Sequence, residues 1–272
     1  MPKVEYLDRT EGKIAYEDYG GAGTLVVCIP GMGDLRSVYR FVAPAFAERG
    51  HRVVTMDLRG MGDSSVTWSD YSESAIGSDI VALIEHLQTG PAVLVGNSIS
   101  AGAAVWVAAE HPEAVAGLVL VSPFARQVPI SRLKVFLFRL ALARPWGAAA
   151  WVGYQTGRLY PSAKPGDMPD YRLALRAKLR ERGRMKAFQR MAGTNHLAAE
   201  ARLGRVMAPV LIVMGTADPD FPDPRSEASL LRERLHGTAV LLDGVGHYPQ
   251  AENPQAFSDK VLDFLAREVH AA

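Results

Sequence analysis

Six short segments rich in β-forming apolar residues, separated by helix-patterned stretches, constrain the fold of this chain most strongly. They are TLVVCIP (24–30), HRVVTMD (51–57), PAVLVGN (91–97), AVAGLVLVS (114–122), APVLIVMG (208–215) and TAVLLD (238–243). Nearly continuous apolar runs of this length are typical of strands buried on both faces of a parallel sheet. Strands that alternate with helices predict an α/β fold, a mostly parallel, doubly wound sheet.

The intervening stretches complete this organisation. VEYL and KIAYEDY, near the N-terminus, predict a hairpin. Helical patterning predicts helices over about 38–49, 72–88, 98–110, 224–235 and 253–269. Residues 125–206 show helical patterning without a clear strand and are too many for a simple loop. We therefore expect one core domain from 1–124 and 207–272, with 125–206 as a helical cap over the carboxyl edge of the sheet.

Composition excludes several classes of protein. The formal net charge of +1 gives no reason to expect a nucleic-acid partner. The single cysteine, Cys28, excludes an intrachain disulfide, and its place in an apolar run predicts a core residue. The N-terminal segment lacks the apolar stretch of a signal peptide, and no run of about 18 apolar residues predicts a membrane span. A soluble cytoplasmic protein is the expectation.

The segment VLVGNSISAG contains two candidate nucleophilic serines. Ser98 fits the pattern small-x-Ser-x-small of a tight turn between strand and helix, with Gly96 before it and Ser100 after it. The apolar run ends at Val95, so the strand register favours Ser98 at the turn and places Ser100 inside the first helical turn. The alternative interpretation is a serine that caps a helix.

A serine nucleophile needs a base, and the base needs an orienting acid. His247 lies in DGVGHYPQ, in the loop between the last strand and the last helix, where it could reach the carboxyl edge. Asp218, just after the strand ending at 215, is the expected acid; Asp220 is the alternative, and Asp223 fits a turn residue better. His196, near the end of the insertion, could contact substrate.

The oxyanion that forms on attack needs two backbone N–H donors. Ile99, which follows the candidate nucleophile at a helix N-terminus, is expected to supply one. The glycine-rich turn CIPGMGD (28–34) after a neighbouring strand is expected to supply the other, most naturally from Met32. Gly31 and Ser100 are further candidates for substrate contact. The alternative for PGMG is an ordinary tight turn.

Seven segments in order resemble the α/β-hydrolase superfamily across nearly everything outside the insertion. They are TEGKIAYEDYG, IPGMGD, DLRGMGDSS, VLVGNSISAG, HPEAVAGLVLVSP, PVLIVMGTADPDFP and DGVGHYPQAENPQAFSDKVLDFL. The resemblance implies the chain order Ser98, Asp218, His247 for a catalytic triad. Two positions depart from the family: Pro30 stands where a histidine usually braces the oxyanion loop, and Ser100 replaces a glycine. Ser98 also argues against dehalogenase and epoxide-hydrolase activity, which use aspartate there.

The insertion is strongly basic although the whole chain is near neutral. Residues 125–206 carry 17 Lys+Arg against 4 Asp+Glu, and the remainder carries 13 against 25. Arg172, Arg176 and Arg180 recur every four residues beside an apolar stripe, which predicts an amphipathic basic helix. This surface could be merely solvated, or it could face an anionic partner such as an acyl-carrier protein, a coenzyme A ester or an anionic membrane surface.

The sequence therefore favours a serine hydrolase that cleaves an ester or thioester with an apolar acyl or aromatic part. This chemistry needs no metal or organic cofactor. Two alternatives keep the same fold. One is a different reaction, such as C–C bond cleavage, acyl transfer, lactone chemistry or cofactor-free oxygenation. The other is a ligand receptor that retains the triad.

Overall fold

An eight-stranded sheet forms the centre of the molecule. The computed structural model describes residues 2–127, 132–143 and 145–269. The strands are β1 (Val4–Arg9), β2 (Gly12–Asp18), β3 (Leu25–Ile29), β4 (Arg52–Met56), β5 (Ala92–Asn97), β6 (Val115–Val121), β7 (Val210–Gly215) and β8 (Thr238–Leu242). Their order is β1-β2-β4-β3-β5-β6-β7-β8, with antiparallel β1·β2 and β2·β4 pairs and parallel pairs elsewhere. The α/β fold and its N-terminal hairpin are confirmed.

Helices occupy the connections between strands. They are α1 (Ala43–Glu48), α2 (Glu73–Leu87), α3 (Ile99–Glu110), α4 (Arg132–Ala141), α5 (Gly147–Arg158), α6 (Met168–Arg180), α7 (Arg184–Met191), α8 (Leu197–Glu200), α9 (Pro224–Arg234), α10 (Pro249–Glu252) and α11 (Pro254–Phe264). Among the described residues, no helix combines the length and hydrophobicity that crossing a membrane would require.

Two helix predictions differ from the structure. The helix expected over 38–49 is a short 3-10 turn, Arg36–Tyr39, followed by the separate α1. Pro44 lies in the first turn of α1, where its missing N–H costs nothing, whereas inside a longer helix it would break the hydrogen-bond ladder. The helix expected to reach 269 ends as α-helix at Phe264 and continues as a π turn over Leu265–Val269.

Strands β3 and β5 are buried, and helices pack against them on both faces of the sheet. Every residue of both strands is buried. Val27 and Leu94 belong to the apolar cluster on one face, and Cys28 and Val93 belong to the cluster on the other. Cys28 is fully buried, as expected for a core cysteine.

The order in which successive strands are added to the sheet reverses between the parallel strands β3 and β5, which places a ligand crevice there. From β3 the chain proceeds to β4 on one side of the sheet, whereas β5 to β8 extend to the other side. Ligands of open α/β sheets bind outside the carboxyl ends of the strands at such a switch point. The loops that follow β3 and β5 carry PGMG and Ser98.

A buried ion-pair network fixes the loop that follows β3. The Arg36 guanidinium contacts the carboxylates of Asp57, Asp63 and Glu17. Asp57 also accepts hydrogen bonds from the backbone N–H groups of Arg36 at 2.8 Å and Asp63 at 2.9 Å. Gly62 has φ +51°, and a side chain there would collide with the Asp57 carboxylate. The DLRGMGDSS segment therefore has a structural role.

The insertion after β6 is helical in its described parts. Helices α4 to α8 lie between β6 and β7, and the described residues of 125–206 contain no strand. On α6, Tyr171, Leu175 and Leu179 are buried while the arginines of the same helix are exposed, which confirms the amphipathic basic helix. Residues 128–131 and 144 of the expected cap lie outside the described residues.

Candidate active site

Ser98 lies at a strained turn between β5 and α3. Its φ of 59° and ψ of −122° belong to a region that non-glycine residues rarely adopt. Three backbone hydrogen bonds hold it there. Ser98 N donates to Val121 O at 2.9 Å, and Ser98 O accepts from Ala101 N at 3.0 Å and from Phe124 N at 3.2 Å. The neighbouring strand β6 and the first turn of α3 thus impose this conformation.

Small residues around the turn are required by space. A Cβ atom at Gly96 would come within 2.6 Å of Ser100 O, and one at Gly31 would come within 3.1 Å of the Ser98 Cβ. Asn97 is fully buried, and its side-chain amide donates to Val121 O at 3.2 Å and to His247 O at 3.1 Å. The residue before Ser98 therefore ties the turn to the loop that carries His247.

His247 and Asp218 form a buried pair. The His247 Nδ1 atom lies 2.7 Å from Asp218 Oδ2, and both side chains are almost completely buried. Burial lowers the pKa of His247, but the charge and hydrogen bond of Asp218 outweigh burial and raise the pKa to about 9. The pair can accept a proton at the imidazole and stabilise the resulting imidazolium.

The two other aspartates of the β7–α9 loop have different roles. Asp220 Oδ2 is 3.8 Å from His247 Nδ1, and Asp220 Oδ1 accepts a hydrogen bond from the Tyr154 hydroxyl. Burial raises the pKa of Asp220. Asp223 is the N-cap of α9 and accepts from Arg225 N and Ser226 N, as expected for a turn residue.

The loop after β3 is held in a way that the sequence did not predict. The Ser100 hydroxyl, fully buried, donates to Pro30 O at 2.5 Å. Trp151 of α5 donates its indole N–H to Gly33 O at 2.9 Å. Gly33 has φ +69°, and a Cβ atom there would collide with the Trp151 ring. Ser100 and Trp151 therefore brace this loop in a chain that has Pro30 where the family usually has histidine.

A cavity of about 680 Å³ lies between the core and the insertion. The core contributes seven lining residues: Met32, Ser98, Ile99, Phe124, Asp220, His247 and Tyr248. The insertion contributes the rest: Gln127, Val135, Phe138, Arg139, Ala141, Leu142, Ala150, Trp151, Tyr154, Leu159, Met191, Ala192, Gly193, Thr194 and His196. Its surface is mostly apolar, and the candidate nucleophile and the candidate base face the same space.

His196 lies on the wall of this cavity, where the sequence suggested that it could contact substrate. Its ring stacks on Phe124 with centroids 5.5 Å apart and planes 16° apart. The other side of the site is aromatic too: Phe124 stacks on Phe221 at 4.8 Å, and its centroid is 6.0 Å from the His247 ring. Two imidazoles therefore flank one phenyl ring.

Two of the expected substrate contacts, Gly31 and Ser100, do not lie on the cavity wall. Ser100 is absent from the cavity lining, because its side chain is buried and its hydroxyl donates to Pro30 O. Gly31 is also absent from the lining and packs against Asn97 and Ser98. Both residues shape the loop and the turn instead of the cavity wall.

Three residues at the site escaped the sequence analysis. Phe124 lies three residues after the end of β6, and its place beyond a strand's carboxyl end was a usable signal. Glu73, one residue after the N-cap Ser72, contacts His196 from the core. Tyr154, in the middle of α5, carries no pattern that would point to Asp220.

Asp218, Asp220 and His247 also meet a geometric requirement for metal binding. One ligand atom of each lies within 4.8 Å of the others, and no second such group occurs among the described residues. The 2.7 Å contact between His247 Nδ1 and Asp218 has the geometry of a hydrogen bond within this group.

Comparison with known proteins agrees with the fold. A model described as "Alpha/beta hydrolase family" matches residues 26–260. A candidate carbamate hydrolase, RutD of Variovorax paradoxus, is 30% identical over 93% of this chain and 96% of that protein. 3-oxoadipate enol-lactonase 2 of Acinetobacter baylyi is 26% identical over 82% of each. The bromoperoxidase structure from Bacillus anthracis superposes with a TM-score of 0.83 at 22% identity, covering 98% of this chain and 100% of that one. The chain belongs to the α/β-hydrolase family.

Proposed function

We propose that this protein is a serine hydrolase that cleaves a carboxylic ester or thioester with an apolar acyl or aromatic part. The family and the hydrolases among its relatives support hydrolysis as the reaction class. One observation carries the finer proposal: Ser98, at a strained turn, faces the same cavity as an imidazole whose Nδ1 lies 2.7 Å from the buried Asp218. A serine at a strained turn that shares a cavity with a histidine oriented by a carboxylate is the arrangement that catalytic triads use for acyl transfer.

In the first half-reaction, Ser98 Oγ attacks the substrate carbonyl carbon and His247 Nε2 takes the hydroxyl proton. The carbonyl oxygen becomes an oxyanion, which the backbone N–H groups of Ile99 and Met32 would stabilise. Collapse of this intermediate breaks the bond to the leaving group, which receives the proton from His247. Asp218 holds the proton on Nδ1 throughout.

In the second half-reaction, water replaces the leaving group. His247 takes one proton from water as its oxygen attacks the acyl-enzyme carbonyl. The tetrahedral intermediate then releases the carboxylic acid, and the proton returns to Ser98 Oγ. No redox step and no further reactant are required.

The composition of the cavity wall favours a substrate with an apolar acyl or aromatic part. Phe138, Leu142, Trp151 and Met191 contribute carbon surface from the insertion, so this segment acts as the cap over the site. The relatives are named a carbamate hydrolase and an enol-lactonase, and carbamates and lactones also contain a carbonyl carbon that a nucleophile can attack. Carbamates and lactones therefore belong in the substrate screen.

A panel of ester and thioester substrates of graded acyl length tests this proposal. We expect kcat/KM to rise with chain length and then fall once the acyl part exceeds the cavity, because each buried methylene adds about 0.8 kcal/mol of transfer free energy. A flat profile from acetyl to dodecanoyl would contradict an acyl-binding role for the cavity. Product analysis separates hydrolysis from acyl transfer and C–C cleavage, and tight binding without turnover would indicate a receptor.

The panel should include coenzyme A thioesters and acyl-carrier protein because the insertion is basic. Arg172, Arg176 and Arg180 are exposed and form no ion pair with another described residue, whereas Arg126 and Lys178 pair with acidic residues of the core. A carrier that binds the arginines should give a kcat/KM that falls with salt. The corresponding simple thioester provides the uncharged comparison.

The acidic limb of the pH profile of kcat/KM should lie at a pH well above the ordinary pKa range of histidine. His247 must be neutral to accept the Ser98 proton, and Asp218 raises the pKa of His247 to about 9. Catalytic rate should therefore be low where the imidazole is protonated and rise with pH as it loses its proton. Measuring kcat/KM for a neutral ester between about pH 5 and 10 checks this. A limb at or below about pH 6 would contradict the assigned base and its raised pKa.

A further inference from the structure

The cavity contains a second imidazole that is held by a buried carboxylate. His196 Nδ1 lies 2.7 Å from Glu73 Oε1, the same separation as between His247 Nδ1 and Asp218. The Glu73 side chain is completely buried in the core, whereas His196 belongs to the insertion and reaches the cavity. The pair thus links the core to the insertion at the cavity wall.

The core makes room for this carboxylate through a glycine. A Cβ atom at Gly102 of α3 would lie 2.1 Å from Glu73 Oε1. Gly102 is helical and its φ is not positive, so its backbone conformation does not require glycine. The missing side chain therefore leaves room for the close approach of Glu73.

Hydrogen bonding fixes which His196 nitrogen carries the proton. Glu73 Oε2 accepts from Ala199 N at 3.3 Å, and Oε1 faces His196 Nδ1. An ionised carboxylate only accepts hydrogen bonds, so Nδ1 must donate. In the neutral imidazole, Nε2 is then a hydrogen-bond acceptor. Stacking on Phe124 fixes the ring plane.

Two hydroxyl groups of the cavity wall are already engaged. The Tyr154 hydroxyl donates to Asp220, and the Thr194 hydroxyl donates to Met191 O at 2.7 Å. His196 forms its described side-chain hydrogen bond through Nδ1. Its Nε2 atom is therefore suited to meet a polar group of a bound molecule within largely apolar surroundings.

We propose that His196, positioned by Glu73, is a specificity residue that accepts a hydrogen bond from a hydroxyl or N–H group on the acyl part of the substrate. This inference rests on the proposed acyl hydrolysis at Ser98. The preferred substrate class is thus an acyl ester or thioester with one hydrogen-bond donor on an otherwise apolar chain. Glu73 acts through His196 and is a positioning residue.

Matched 4-nitrophenyl hexanoates test the inference. They carry hydrogen, hydroxyl, methoxyl or acetamido at C3, C5 or C6, and kcat/KM is measured near pH 8. Hydroxyl can donate and accept, methoxyl can only accept, and acetamido supplies an N–H donor. At one chain position we expect the hydroxyl or the acetamido ester to exceed the methoxyl ester by about five- to tenfold, the usual effect of one neutral hydrogen bond. Which of the two is preferred distinguishes hydroxyl from N–H substrates.

Glu73→Gln is the most decisive variant, because glutamine keeps the shape of the glutamate side chain but changes which His196 nitrogen carries the proton. Ala199 N–H selects the glutamine oxygen as its acceptor, so the glutamine NH₂ would face His196 Nδ1 and donate to it. The proton then moves to Nε2, which becomes a donor. We expect the donor-over-methoxyl preference to fall to about one. His196→Phe should abolish the preference as well, and His111→Phe, the same change at a partly exposed site outside the cavity lining, should keep it.

The outcomes separate this inference from the proposed function. Absence of turnover for every ester, with Ser98 inert to an active-site probe, would overturn both. Ser98-dependent turnover with equal rates for donor and methoxyl esters in the unmodified protein would overturn the inference alone. A donor preference that survives Glu73→Gln would also overturn it, even if His196→Phe failed to fold. A preference that is present in the unmodified protein and lost in Glu73→Gln supports it.

Discussion

Replacing Ser98 with alanine is expected to lower kcat for ester hydrolysis by about a thousandfold or more. The substitution removes the only atom that forms the acyl-enzyme, and what remains is the contribution of binding and of the oxyanion donors. Alanine keeps the Cβ atom and therefore the strain of the φ of 59°, and Ser98 makes no side-chain capping hydrogen bond, so the variant should fold as the parent does. Steady-state kinetics on one ester, with far-UV circular dichroism, measures both effects.

Ser100→Ala is the matched control for this change. It removes the same hydroxyl two residues further on, where the hydroxyl donates to Pro30 O and does not line the cavity. We expect most of the turnover to remain, with a loss of about 1–3 kcal/mol in the free energy of unfolding, because a buried acceptor loses its partner. Near-normal turnover in Ser98→Ala, or a greater loss in Ser100→Ala, would contradict the choice of nucleophile.

Asp218→Asn should produce the second-largest effect, a loss of kcat on the order of 10³- to 10⁴-fold. Asparagine can donate its NH₂ to His247 Nδ1, which moves the proton to Nε2 and removes the lone pair that must accept the Ser98 proton. The imidazolium also loses the carboxylate that lies 2.7 Å away. The pKa of His247 should fall, so the residual activity should show an acidic limb at lower pH than in the parent protein.

Asp220→Asn provides the comparison for the assignment of the acid. Asp220 is 3.8 Å from the His247 nitrogen and is engaged by the Tyr154 hydroxyl, so its replacement should lower kcat far less than Asp218→Asn does. The same kinetic assay on both variants decides the matter. A larger loss in Asp220→Asn would make Asp220 the orienting acid.

The pattern of strands and turns predicted the parts of the site that depend on backbone position. Apolar runs identify a buried strand by their own composition, and the strand that ends at Asn97 fixes where the turn must fall. Ser98 and His247 could therefore be proposed from register and loop position alone. The glycine at 96 was also predictable, because a tight turn leaves no room for a side chain.

Contacts between distant segments could not be predicted in the same way. Glu73 and His196 are separated by 123 positions, and nothing in the local pattern of either residue indicates the other. Ser100 was expected near the substrate, because sequence register places it at the elbow but does not show which way its hydroxyl turns. The carbonyl oxygen of Pro30, which accepts the hydrogen bond from the Ser100 hydroxyl, decides that direction. Residues of the insertion, far away in sequence, form much of the cavity wall.

Covalent labelling with a fluorophosphonate probe tests the central claim most directly, because the probe reacts with a serine only when a neighbouring base activates it. We expect intact-protein mass spectrometry to show one adduct per chain, and peptide mapping to place it on Ser98. His247→Ala should abolish the labelling while the protein stays folded. Absence of an adduct, or an adduct on any residue other than Ser98, would contradict the account.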